Sequence, residues 1–144
     1  MSASTKLSTA VKALCFLAEK FPEPQNSTEI SKKIGVNASK IRQIMSMLCK
    51  HEITGSTKGT QGGFILRRDF TSLTLLEIYD ALEDRKIMEF DVSEAAGENI
   101  EDNKKYNSYF NHFFWNIQKQ IEERMKDITL ESIKDDAEKI NNIG

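Results

Sequence analysis

A chain of 144 residues, 39% hydrophobic and 29% charged, is long enough for one domain with a modest core, or one domain with an added dimerising element. Its longest purely apolar run, Ala13 to Ala18, is too short to span a membrane, and the polar start Met1 to Lys6 is unlike a secretory signal, so a cytoplasmic protein is expected. Two cysteines exclude a disulfide framework. The net charge of −2 hides an asymmetry: residues 1–70 carry 11 Lys and Arg against 5 Asp and Glu, whereas residues 71–144 carry 9 against 17. Charges beyond a Debye length of about 10 Å are largely screened, so the local excess of +6 governs contact with a polyanion.

In chain order, Lys6 to Phe21 reads as a helix, with Leu7, Val11, Leu14, Ala18 and Phe21 recurring at three and four residues. Pro22, Pro24, Asn26 and Ser27 end it, and Ser27 or Thr28 is expected to cap the next helix. Ile30 and Ile34 lie one turn apart with small Ser31 between them, Gly35 breaks the helix, and Val36 is the next apolar anchor. Asn37 then opens another helix whose Ile41, Ile44, Met45 and Leu48 form one apolar stripe. The opposite face holds Ser39, Lys40, Arg42, Gln43, Ser46 and Lys50, which offer donors and positive charge. Two helices crossing at a small residue and a glycine turn predict a helix-turn-helix, although that second helix alone also fits a solvated amphipathic helix.

Residues 53–68 favour the helix-turn-helix. Ile53 to Ser56 and Phe64 to Leu66 have strand character and flank a loop containing Gly59, Gly62 and Gly63, with Lys58, Arg67 and Arg68 beside it. A hairpin directly after a helix-turn-helix is a wing. A phosphate-cradling loop is the alternative for so many glycines, but it would end in Gly-Lys-Ser/Thr and lead into a helix.

Phe70 to Asp84 is expected to be helical, with Thr74 as N-cap and Glu77 as its capping-box partner. Arg85 to Lys105 is acidic and poor in apolar residues, so a solvated connection is expected there. Tyr106 to Ile128 is strongly periodic: Phe110, Phe113, Phe114, Ile117, Ile121, Met125 and Ile128 make a stripe for which a second copy of the chain is the expected partner, with a helix folded back on its own domain as the alternative. Tyr106, Tyr109, His112 and Trp115 could alternatively line an effector pocket, although aromatic stripes at this spacing usually pack, and nothing in the sequence supports a small-molecule effector. Residues 129–144 read as a short helix and then a disordered tail. His51 and His112 have no ligand-spaced neighbours, so no metal site is expected, and no nucleophilic or acid–base constellation marks an enzyme. Cys15 and Cys49 are candidate redox thiols, with an inert hydrophobic role as the alternative.

The run from Ile41 to Leu48, the wing Ser56-Thr57-Lys58-Gly59-Thr60-Gln61-Gly62-Gly63 and the helix start Leu73-Thr74-Leu75 resemble the Rrf-type bacterial winged-helix transcription regulators, closely over about the first 85 residues. The resemblance implies a mostly α fold with a small β wing, arranged as a DNA-binding domain over residues 1–84, an acidic connection over 85–105, and a dimerisation helix and tail over 106–144. It further implies a homodimeric repressor that binds an inverted repeat in double-stranded DNA. The expected contacts are Ser39, Lys40, Arg42, Gln43 and Ser46 on the second helix and Lys58, Thr60, Gln61, Gly62, Gly63 and Arg67 in the wing. Sensing members of the family hold an iron-sulfur cluster on three cysteines in the connecting region. This chain has none there, so no cofactor is expected. A winged helix that binds protein instead is the rival reading, and it would call for an uncharged or acidic second helix.

Overall fold

A computed structural model describes residues 2–82 and 100–143. The elements run α1 (Ala3–Lys20), α2 (Ser27–Ile34), α3 (Ala38–Lys50), β1 (Thr54–Thr57), β2 (Gly63–Leu66), α4 (Leu75–Ala81), α5 (Ile100–Lys126) and α6 (Leu130–Ile143). The expected class, mostly helical with a two-stranded wing, is the one observed.

Helix α1 forms the centre of the core. Its Ala10, Ala13, Leu14 and Leu17 are essentially inaccessible, and they pack with Ile30 of α2, the stripe Ile41, Ile44, Met45 and Leu48 of α3, and Ile78 of α4. Each such large aliphatic side chain contributes about 1.5–3 kcal/mol by leaving water, while the alanines let the helices approach closely. The exception is Phe21. Expected on the inner stripe, it lies 58% exposed, because α1 ends at Lys20 and the chain leaves helical geometry at Phe21 itself.

Helix α2 is capped by Asn26 rather than by Ser27 or Thr28. The Asn26 side chain accepts from the Glu29 N–H at 2.8 Å, and the Glu29 carboxylate accepts from the Asn26 N–H at 2.8 Å, closing a capping box. At the other end Gly35 takes φ 74°, and its N–H donates to the Ser31 carbonyl at 2.9 Å. That left-handed conformation is strained for a residue with a Cβ, so glycine allows the short turn into Asn37, whose side chain caps α3 by accepting from the Ser39 N–H at 2.8 Å.

The wing is an antiparallel hairpin with Thr54 opposite Leu66 and Thr57 opposite Gly63. It is fastened to the loop before α2. The Gln25 N–H donates to the Phe64 carbonyl at 3.0 Å, and the Phe64 N–H donates to the Gln25 carbonyl at 2.8 Å. Gly63 makes this approach possible, since a Cβ there would stand 2.5 Å from the Gln25 carbonyl carbon.

Helix α4 starts at Leu75, later than the expected Phe70. Asp69 explains the delay: its side chain accepts from the Thr71 N–H at 2.9 Å and its carbonyl from the Leu73 N–H at 3.0 Å, holding a turn ahead of the Thr74 cap. The Thr74–Glu77 capping box is present as expected.

Three corrections concern the C-terminal part. Ile100–Lys105, expected in the connection, already belong to α5, while residues 85–99 lie outside the described residues. The short helix expected ahead of a disordered tail runs on to Ile143 as α6, which opens with the Ser132 N–H donating to Thr129 Oγ1 at 3.1 Å and buries Leu130. The turn between α5 and α6 is stitched to the segment before α4, for the Leu75 N–H donates to the Ile128 carbonyl and the Leu130 N–H to the Leu73 carbonyl, both at 2.8 Å. Met125, expected in a dimer interface, is buried in the core of its own chain, and Ile121 packs against that core. Ile128 lies beyond the end of α5.

Candidate nucleic-acid interface

With its apolar stripe buried, α3 turns Ser39, Lys40, Arg42, Gln43 and Ser46 to solvent together. The helix is thus two-sided by periodicity alone, and what it offers outward are hydroxyl and amide groups beside two cations. Arg42 is not loose. Its Nη1 donates to the Ser27 hydroxyl in the first turn of α2 at 3.2 Å, which holds the guanidinium beside the start of that helix. Arg42 thus stands beside the first turn of α2, where the helix's own carboxylate, Glu29, is taken up in the capping box.

The wing reaches the same side. Lys58, Thr60 and Gln61 are exposed at its tip, and Gly62 and Gly63 lie half-buried where the hairpin meets Gln25 and Asn26. Gly62 has its own steric reason, because a Cβ there would collide with the Thr57 carbonyl oxygen across the hairpin. Between the wing tip and the start of α2 lies an open polar hollow of about 510 Å³, lined by residues that include Glu23, Asn26, Glu29, Thr60 and Gln61. Its Glu29 carboxylate is engaged by the Asn26 N–H.

Arg67 stands apart from the other expected contacts. It comes just after β2 at the base of the hairpin, where its N–H donates to the Ile53 carbonyl at 2.9 Å and its side chain crosses Gly55. Two participants are not marked by the sequence pattern, Ser27 as the partner of Arg42 and Gln25 as the anchor of the wing. The Asn26-x-x-Glu29 spacing is a signal that Asn26 is the cap, which leaves the Ser27 hydroxyl to take Arg42.

On α5, Tyr106 and Tyr109 are 65% and 66% exposed, and Phe113 and Trp115 are about half exposed, whereas Phe110, Phe114 and Ile117 are half-buried. Trp115 is covered on one face by the Lys119 ammonium, 4.6 Å from the ring centroid. No helix among the described residues is long and apolar enough to cross a membrane.

Residues 3–136 match the Rrf2 family, described as iron-dependent transcriptional regulators. Over 76 residues the chain is 32% identical to the HTH-type transcriptional regulator IscR of Sodalis glossinidius, an alignment covering 53% of this chain and 45% of that one. The chain spans about half the length of the curated relatives it matches, 45% and 57%. Among solved structures, IscR of T. potens superposes with a TM-score of 0.71 at 26% identity, covering 97% of this chain and 90% of that one. CymR, the global cysteine regulator of B. subtilis, superposes with a TM-score of 0.67 at 21% identity, covering 91% and 94%, which shows a shared fold.

The description of the family raises the question of iron. A thiolate-held cluster takes up to four cysteines, and this chain has two in all, on α1 and near the end of α3. Burial pushes the Cys15 thiol up to about 11, opposed only in part by Lys134, and Cys49 Sγ lies 3.1 Å from Thr54 Oγ1. Among the described residues no group of three or more His, Cys, Asp or Glu side chains could hold a metal ion. These residues do not fit an iron–sulfur cluster. The match over residues 3–136, the helix-turn-helix with its exposed α3 and the anchored wing place the chain in a family of regulators rather than enzymes: it belongs to the Rrf2 family of bacterial winged-helix transcription regulators.

Proposed function

We propose that the protein is a cytoplasmic homodimeric repressor that occupies an inverted-repeat operator without an iron–sulfur cluster. The observation that carries this reading is the Arg42–Ser27 hydrogen bond beside the Gln25–Phe64 anchor, which joins the exposed face of α3, the start of α2 and the wing into one polar surface bearing Lys40, Arg42 and Lys58. Ser39, Lys40, Arg42, Gln43 and Ser46 enter a major groove, while Lys58, Thr60, Gln61 and the glycine backbone at Gly62 and Gly63 track the adjacent phosphates or minor groove. Arg67 contacts a phosphate from the base of the wing.

The exposed aromatics of α5 support dimerisation through that helix, with Phe110, Phe113, Phe114 and Ile117 at its centre. Ile121, Met125 and Ile128, engaged within their own chain, serve at most its edge. Residues 1–84 are then the reading unit and α5 with α6 the pairing unit, and two α3 helices lie about 34–36 Å apart or a multiple of it. Occlusion of a promoter is the simplest output of such binding. Selection of genomic fragments by the purified protein, with titrations from about 50 to 200 mM salt, tests the proposal. An enriched inverted repeat bound by two chains with a steep salt dependence is expected, and weak, sequence-blind binding by a monomer would overturn it.

A further inference from the structure

At the base of the wing, on the side of α1, lies an open cleft of about 380 Å³ lined by Ala18, Phe21, Leu66, Arg67, Arg68, Asp69 and Phe70. We propose that this cleft is a binding site for small arylcarboxylates. Its volume falls in the range of small-molecule sites, and its make-up is theirs too, an apolar body with few charged groups. Phe21 is 58% exposed and Phe70 half-buried, so two aromatic rings stand at the cleft above the buried Leu66. An exposed phenylalanine at the end of a helix contributes little to the core, yet it supplies a face on which a flat ring can stack.

The charges decide the class of ligand. Arg68 is already committed, because its Nη2 donates to Glu77 Oε1 at 2.8 Å. The Asp69 carboxylate is likewise turned onto the Thr71 N–H and hydroxyl at 2.9 and 2.8 Å. Arg67 is the remaining charge. Among the described residues no hydrogen bond or ion pair engages its guanidinium, which lies over Gly55 where the missing Cβ leaves room for it, and Arg67 itself lines the cleft. A planar fork of donors next to aromatic walls fits a carboxylate on an aromatic body. A bare inorganic anion would use the guanidinium and waste the walls, and a neutral aromatic would do the reverse.

The cleft also has a consequence for regulation, which rests on the DNA-binding function proposed for the wing. Arg67 cannot hold a ligand carboxylate and a DNA phosphate at once, so an occupied cleft weakens operator binding.

Calorimetric titration of the full-length protein without DNA tests the site, using benzoate, phenylacetate and 3-phenylpropanoate, their amides, and inorganic phosphate. At least one carboxylate is expected to bind with a dissociation constant of about 1 mM or tighter, and both Phe21→Ala and Arg67→Gln to weaken it roughly tenfold. Binding by none of the three carboxylates, equal binding of the amides or of phosphate, or unchanged binding by Phe21→Ala would overturn the proposal. The second arm adds the same ligand to a preformed protein–operator complex: Phe21→Ala is expected to keep its DNA affinity and lose the ligand response. A ligand that binds the free protein but leaves the operator complex intact would uphold the site and overturn the coupling. Absence of any operator binding would count against the DNA reading alone.

Discussion

Gln118, almost wholly buried on α5, donates from Nε2 to the Tyr79 hydroxyl of α4 at 2.8 Å. The two residues are 39 apart in sequence, so this bond ties the pairing helix to the last helix of the reading unit. A hydrogen bond of this kind contributes about 0.5–1.5 kcal/mol net. Tyr79→Phe is therefore expected to lower stability by about that amount, and Tyr79→Phe with Gln118→Met to recover part of it, because both polar ends are then gone. Urea unfolding of the two singles and the double measures the coupling, and strict additivity would show that the bond contributes nothing of its own.

The wing is expected to be more sensitive at Gly63 than at its tip. A Cβ at Gly63 would meet the Gln25 and Asn26 backbone, which cannot step aside as a side-chain end can. Gly63→Ala should push the hairpin off the loop before α2, costing about 1–3 kcal/mol of stability and much of the DNA affinity. Gly59→Ala meets open space but strains a residue at φ 108°, so its effect is confined to the tip. Thermal unfolding and operator titration of the two variants would reveal a wing indifferent to its anchor if they behaved alike.

On the DNA itself, Arg42 and Lys58 are expected to fail differently. Arg42 is held at the start of α2 by Ser27 as a fixed fork of the kind suited to a base edge, whereas Lys58 is exposed at the wing tip. Arg42→Ala should cost about 1–3 kcal/mol on the operator and relax base preference, while Lys58→Ala weakens all sequences alike and lowers the salt slope by about one. Ser27→Ala should reproduce a mild form of the Arg42 defect. Equal losses on every sequence for Arg42→Ala would make it a phosphate contact.

The two-sidedness of α3 was legible in the sequence because it depends on periodicity. Ile41, Ile44, Met45 and Leu48 are buried as their spacing predicts, and the opposite face is left to solvent. Residues whose role depends on a distant partner were not legible. Phe21 continues the α1 spacing on paper, yet the helix has already ended; Met125 continues the α5 stripe, yet it belongs to its own core. The polar start of α5 and the sparse apolar residues of α6 resemble loop and tail by composition, and α6 forms by docking Leu130 and by its stitching to Leu73. Tertiary packing there overrides a weak local pattern.

Acid should weaken the junction between the wing and α4. The Glu77 carboxylate is held below its ordinary value first by the Thr74 N–H; burial opposes this next, and Arg68 lowers it further. A depressed carboxylate contributes stability that is fully present above its unfolded value and lost as pH falls through the lower folded one. With the unfolded value near 4.5, Glu77→Gln should be the less stable protein at pH 7, by less than about 1 kcal/mol because the side chain is 40% exposed. The gap should close as pH falls below the unfolded value and then through the lower folded one, where the native glutamate itself becomes neutral. Urea midpoints of both proteins across that range check the sign, and a gap that widens in acid would contradict it.

The two thiols should differ in reactivity. Burial raises Cys15 to about 11, so at neutral pH it is almost entirely the unreactive thiol, whereas Cys49 sits half-exposed beside Thr54 at the end of α3. Attack on peroxide or an alkylating agent requires the thiolate, and each unit of pKa above the ambient pH lowers its fraction about tenfold. Cys15 is therefore expected to stay unmodified in the folded protein at about pH 7.5 and to react once urea exposes it, which mass spectrometry of the alkylated peptides resolves. An inert Cys15 leaves Cys49 as the one thiol through which oxidation could reach DNA binding. Cys49→Ser should keep its operator affinity whether or not the parent loses affinity in mild peroxide; if both lose it equally, the oxidised group lies elsewhere, with the methionines as the next candidates.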